Sequence, residues 1–186
     1  GQAANAIPMY QSVLNEDVLS HENIRLKLAE ALSLNGRFEE ALPYYKSGLE
    51  VSKSLDALFG YGMTAYQLEK YSTVISALEE LKELDPKYST LYAILAHAYK
   101  EEGALEESLA VLEEGIKLDE FNERLLLEAG KLSLQLTKHQ QGIEYIENLL
   151  KYDPDNIEAL VLLVDHFEQL ELYDEIIHIL NNKQHD

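Results

Sequence analysis

Cysteine is absent from the 186 residues. That excludes a disulfide framework, a thiolate nucleophile and a thiolate zinc site. A cysteine-free chain fits a reducing compartment, so a cytoplasmic location is expected. Basic residues are scarce: Lys plus Arg number 15 against 34 Asp plus Glu, a net charge of −19 with His neutral. Phosphate binding runs on clusters of Lys and Arg, so no nucleic acid is expected as a partner. Docking on an anionic membrane surface is disfavoured for the same reason. No apolar run approaches the roughly 18–20 residues that span a bilayer, so direct membrane insertion is not expected. The opening residues, Gly1-Gln2-Ala3-Ala4-Asn5, lack the basic and apolar regions of a secretory signal and an initiator Met. The expectation is a piece of a longer chain.

What the chain does have is 46% hydrophobic residues, enough to bury a core, and they recur with a fixed period. Asp85, Asp119 and Asp153 stand 34 residues apart. Leu78, Leu112, Ile146 and Leu180 keep that spacing, as do Ile75, Leu109, Ile143 and Ile177. Small residues recur at Gly62, Ala96 and Gly130. Within a unit the apolar spacing is helical. Leu91, Tyr92, Leu95, Ala96 and Tyr99 form one stripe; Leu105, Ser108, Leu109, Leu112 and Ile116 form a second. A Lys-Glu-Glu-Gly turn at 100–103 separates them. Each unit is therefore two helices of roughly 13 residues joined by a short turn. Asp-Pro closes the second helix, because a residue before Pro is pushed out of the helical region. Ser89, Asn122 and Asn156 are then expected to cap the next helix. Pro8 and Pro43 are expected in the first turn of their helices, where Pro is tolerated.

These residues resemble the tetratricopeptide repeat. The pattern reads Leu58, Tyr61, Gly62, Ala65, Val74, Leu78, Leu81, Pro86 in one unit. The next reads Tyr92, Leu95, Ala96, Tyr99, Ser108, Leu112, Gly115, with Glu120 in place of Pro. The resemblance covers essentially the whole chain, 1–186, as a single domain. It divides into the second helix of a truncated unit (1–21), full units 22–54, 55–88, 89–122 and 123–156, and a last unit 157–186. Val164 departs from the small-residue slot. The resemblance implies an all-α, right-handed superhelical solenoid of antiparallel helix pairs. It also implies a non-catalytic scaffold that binds a protein or peptide segment in its concave groove.

In this family the first helix of each unit lines the groove. The positions off the stacking stripe are Leu26, Glu30, Phe59, Met63, Tyr66, His97, Lys100, Arg124, Leu127, Lys131 and Leu134. Phe59, Met63 and Tyr66 make an apolar patch suited to a partner's anchor side chain. His97, Lys100, Arg124 and Lys131 are expected to form a basic cluster that accepts an acidic segment by charge-assisted hydrogen bonds. The clamp with which some relatives grip chaperone tails is missing. Its Lys slots hold Leu26, Phe59, Ala93 and Leu127; its Asn slots hold Glu30, Met63, His97 and Lys131.

No catalytic residue, cofactor or metal is expected. There is no Gly-rich phosphate loop, nucleophile elbow or His-x-x-x-His pair. Six histidines are scattered. Asp174 and His178 share a helical face, but too few ligands converge there. Glu106 with Glu107, and Glu113 with Glu114, are adjacent on helices and point in different directions. Two other classes of function stay open. One is a self-assembling homo-oligomer stacked through exposed solenoid ends, where Ile176, Ile177, Ile179 and Leu180 make the last helix apolar. The other is an accessory domain of a larger enzyme.

Overall fold

A computed structural model describes residues 2–14 and 22–182. His21, His185, and the side chains of His178, Ile179 and Leu180 lie outside the described residues, as does the expected unit boundary at 21. Among the described residues the secondary structure is helical, with no strand. The helices are α1 (Gln2–Leu14), α2 (Glu22–Leu34), α3 (Phe38–Leu49), α4 (Leu55–Gln67), α5 (Tyr71–Leu84), α6 (Thr90–Glu101), α7 (Leu105–Leu118), α8 (Glu123–Gln135), α9 (His139–Tyr152), α10 (Ile157–Gln169) and α11 (Tyr173–Asn182). They fall into two compact units, Gly1–Ala104 and Leu105–Asp186. None of the described helices is long and apolar enough to cross a membrane.

In the first unit α1 packs on α2, α2 pairs with α3, α4 pairs with α5, and α6 packs on α5. Ile7, Leu28, Ala29, Ala31, Leu32, Ala41 and Tyr45 form one buried cluster there, and Leu58, Val74, Leu78, Leu81, Leu91 and Leu95 are buried further along. In the second unit α7 packs on α8, α8 pairs with α9, and α10 with α11. Leu126, Ile146, Leu149, Ala159, Leu163 and Phe167 form the core there. Small residues let paired helices approach. A Cβ on Gly130 of α8 would lie 2.6 Å from Ile146 Cγ1 of α9 and 3.4 Å from the Gly142 carbonyl. Contacts that short leave no room for a side chain, so the crossing needs glycine there.

A short turn follows each of α2, α4, α6, α8 and α10. Residues 36, 69, 103, 137 and 171 at these turns all have left-handed backbone. In each, the next residue's N–H reaches back to the carbonyl five earlier: Arg37 to Leu32, Lys70 to Ala65, Ala104 to Tyr99, Lys138 to Ser133 and Leu172 to Phe167. That is a Schellman motif repeated five times. The opposite ends are closed by Asp85 and Asp153, which are non-helical ahead of their prolines.

Two local expectations are corrected. Asn122 and Asn156 do cap, accepting from Leu125 N at 3.2 Å and Ala159 N at 3.0 Å. Ser54 does the same for Ala57 at 3.2 Å. Ser89 does not: its backbone is already helical and its side chain makes no cap bond. The capping column runs through 54, 122 and 156 by the repeat spacing, and its remaining slot holds Tyr88, which cannot cap. The prolines also sit deeper than expected. Pro8 and Pro43 lie inside α1 and α3, past the first turn. Both rings are exposed, so the carbonyls left without an N–H partner can turn to water.

Candidate functional site

Of the expected positions in the first unit, Leu26, Glu30 and Phe59 line a cleft between α2 and α4 of about 460 Å³; Met63, Tyr66, His97 and Lys100 do not. Leu26, Lys27 and Glu30 supply one wall. Ser54, Asp56, Ala57, Phe59 and Gly60 supply the other, with Tyr45 of α3 at the back. The cleft exists because Gly60 admits the Tyr45 ring. A Cβ there would sit 2.6 Å from the Tyr45 hydroxyl. Burial pushes the Tyr45 phenol above its usual pKa, and a bond with the Ser33 hydroxyl opposes this only in part. Phe59 is half-buried and stacks obliquely on Tyr88, with ring centroids 5.1 Å apart. Leu26 is half-buried as well, its methyls over Gly48 of α3. It therefore serves the helix pair and the cleft wall at once.

Next along the same unit is an aromatic group. The Tyr66 hydroxyl lies 3.3 Å from His97 Nδ1, and His97 Nε2 lies 3.6 Å from Glu101. Tyr71 completes the group, 6.2 Å from the Tyr66 ring and 5.9 Å from His97. Burial, then Glu101, Glu69 and Tyr66, raise the Tyr71 phenol pKa. Met63 and Lys100 are half-buried.

The remaining expected positions belong to the second unit. Arg124 is exposed. Lys131 is already engaged: its ammonium bonds Glu158 at 2.6 Å and Glu128 at 3.0 Å. Burial works against that charge, but the two carboxylates outweigh it and lift the Lys131 pKa. An acidic ligand would have to displace them. Leu127 and Leu134 pack against the buried cluster, with the Leu134 methyls over Gly142. Leu134 thus fills the α8–α9 crossing. Among the described residues no group of three or more His, Asp or Glu side chains is placed to hold a metal.

Family models for the tetratricopeptide repeat match residues 26–89, 89–122 and 123–156. The chain belongs to the tetratricopeptide repeat family. It is 37% identical over 181 residues to the TPR repeat-containing protein YpiA of Bacillus subtilis, covering 97% of this chain and 43% of that protein. The chain thus spans less than half the length of the curated relatives it matches. Solved structures share the fold at lower identity. A MamA protein matches with a TM-score of 0.78 at 20% identity, covering 88% of this chain and 90% of that one. YrrB, described as a TPR protein with an unusual peptide-binding site, matches at 0.75 and 18%, covering 86% and 82%. The fold is that of tetratricopeptide solenoids, a scaffold family that is generally non-catalytic and serves protein–protein interaction.

Sequence reasoning overlooked two ring residues of this tetratricopeptide surface. Tyr88 backs Phe59, and its signal was an aromatic in a column that otherwise holds Ser or Asn caps. Tyr71 opens α5 and reaches the Tyr66–His97 pair; its slot in later units holds Leu105, His139 and Tyr173, a mixed column with a second Tyr as its one signal.

Proposed function

We propose that the first unit binds a partner peptide, extended or helical, by seating an apolar anchor side chain in the α2–α4 cleft. The cleft itself is the supporting observation: an open volume of about 460 Å³ walled by Leu26 and Phe59, with Lys27, Glu30 and Asp56 at its rim. Concave sites of this size, mostly apolar with a few polar groups, suit one large side chain and its flanking backbone. The rim charges of both signs set orientation. Recognition is then by shape and burial, with the Tyr66–His97–Tyr71 group next along the groove. The peptide-binding site named for YrrB is in keeping with this reading.

Selecting peptides from a random display library on the full chain tests it. Phe59→Ala should weaken the selected peptides by about tenfold or more, as loss of a buried anchor contact does. Circular dichroism should stay unchanged. Selected peptides that bind the variant as well as the original would end this reading.

A second reading rests on α11, whose Tyr173 and Ile177 face solvent. It is a homo-oligomer stacked through that helix. Light scattering over a concentration series should then show growth in mass, abolished by Tyr173→Ser with Ile177→Ser; a constant monomer mass counts against it.

A further inference from the structure

The turns that leave α7 and α9 carry apolar side chains where polar ones would be cheaper. Leu118 is 47% exposed, Phe121 54%, Tyr152 56% and Ile157 77%. None of the four belongs to the buried cluster of the second unit. Phe121 and Tyr152 meet edge to face, with centroids 4.4 Å apart and planes at 79°. That contact joins two successive turns of the repeat into one surface. Asn156, capping α10, also donates to Glu123 at 3.0 Å and to Asp153 at 3.0 Å. Leu118 and Phe121 wall an open hollow of about 510 Å³ in front of the first turn. Apolar side chains held together in the open by polar bonds mark an interaction surface rather than isolated exposure.

Charge decides the occupant. Asp119, Glu120, Glu123, Asp153 and Asp155 lie in and beside these turns, against Lys117, Arg124 and Lys151. A second copy presenting the same patch would bring these carboxylates face to face. A cationic partner would be attracted by them. We propose that this two-turn surface docks a cationic amphipathic segment of another protein. An aromatic or large aliphatic anchor lies against Phe121 and Tyr152, and flanking Lys or Arg pair with the turn carboxylates. The site is on the second unit and does not depend on the α2–α4 cleft.

The test uses the full chain and three fluorescein-labelled synthetic peptides. One alternates Lys with Leu and Trp; one has its Leu and Trp replaced by Ser; one has its Lys replaced by Glu. The first should bind saturably and about tenfold tighter than either control, the scale of an anchor's loss. Its amide shift changes should centre on 116–123 and 151–158. Phe121→Ser with Tyr152→Ser should weaken it by about tenfold, and Phe59→Ala should leave it unchanged. Equal binding of the Ser peptide would reduce the surface to plain charge attraction and overturn the proposal. So would unchanged binding by the double variant, or shifts centred elsewhere. If the double variant loses its helical spectrum, the shift map on the unmodified chain decides. A dimer that forms with concentration and is lost in the double variant would assign the patch to a second copy, against the proposal.

Discussion

Gly130 and His166 mark the two kinds of pressure a single residue feels in this fold. At Gly130 the pressure is space. Ile146 and the Gly142 backbone stand where a side chain would go. Gly130→Leu should therefore overpack the α8–α9 crossing and cost about 1–3 kcal/mol or more, read as a lower melting temperature. At His166 the pressure is polarity. The ring is 6% exposed, its Nε2 has no hydrogen-bond partner, and it stacks on His139 with centroids 5.0 Å apart. Burial first, and the neighbouring His139 second, hold its pKa below the ordinary value. Such a group stabilises the fold fully above the unfolded pKa, about 6.5 for His. That stability is lost as pH falls below it, because the unfolded chain takes the proton first. The same column holds Leu132 in the preceding unit. Melting temperature measured against pH should fall more steeply below about 6.5 in the natural chain than in His166→Leu. Parallel curves would show that His166 carries no such linkage.

The turn is the element on which the repeat depends most, and its left-handed residue is the weak point. Gly36 and Gly103 adopt it without strain, but Glu69, Thr137 and Glu171 carry it at φ of 55–60°. Thr137 is the worst case, being β-branched. Thr137→Gly relieves the strain but gains unfolded-chain freedom, so a net stabilisation of about 0.5–1 kcal/mol is expected in urea melts. Loss of stability would mean that Thr137 packing outweighs its backbone. Sequence alone reveals the paired helices through the apolar columns 34 apart, and the short turn between them at 100–103, but not the left-handed residues at 69, 137 and 171, because Glu and Thr give no left-handed signal. The candidate site was only partly legible. Leu26 and Leu134 look identical to groove residues in the pattern, yet their methyls cover Gly48 and Gly142. One helical position separates the groove face from the pairing face, and leucine serves both. Phe59 could be read because a large ring off the stacking stripe has few other uses. The Tyr88 that backs it sat in a capping column and was not singled out.

At the scale of the whole molecule, charge opposes compactness. Even if all 15 basic side chains were paired, 19 carboxylates would have no cation. Several cations do pair with carboxylates distant in sequence: Lys53 of the α3–α4 loop with Glu80, Lys138 of the α8–α9 turn with Glu106, and Lys131 of α8 with Glu158 of α10. Such partly exposed pairs contribute about 0–1 kcal/mol each and lose part of that in salt. Repulsion among the unpaired carboxylates acts over a longer range. At about 10 mM salt the screening length is roughly 30 Å, so charges several helices apart repel; at about 150 mM it is roughly 8 Å and only neighbours do. Screening therefore removes more repulsion than attraction, because the short-range pairs survive it better. Melting temperature should rise by a few degrees between these two salt concentrations, on the order of 1 kcal/mol of relieved repulsion. A melting temperature that falls instead would mean that these long-range ion pairs dominate the electrostatics. In that case Lys131→Met, which cuts one such bridge, should remove a measurable part of the salt dependence.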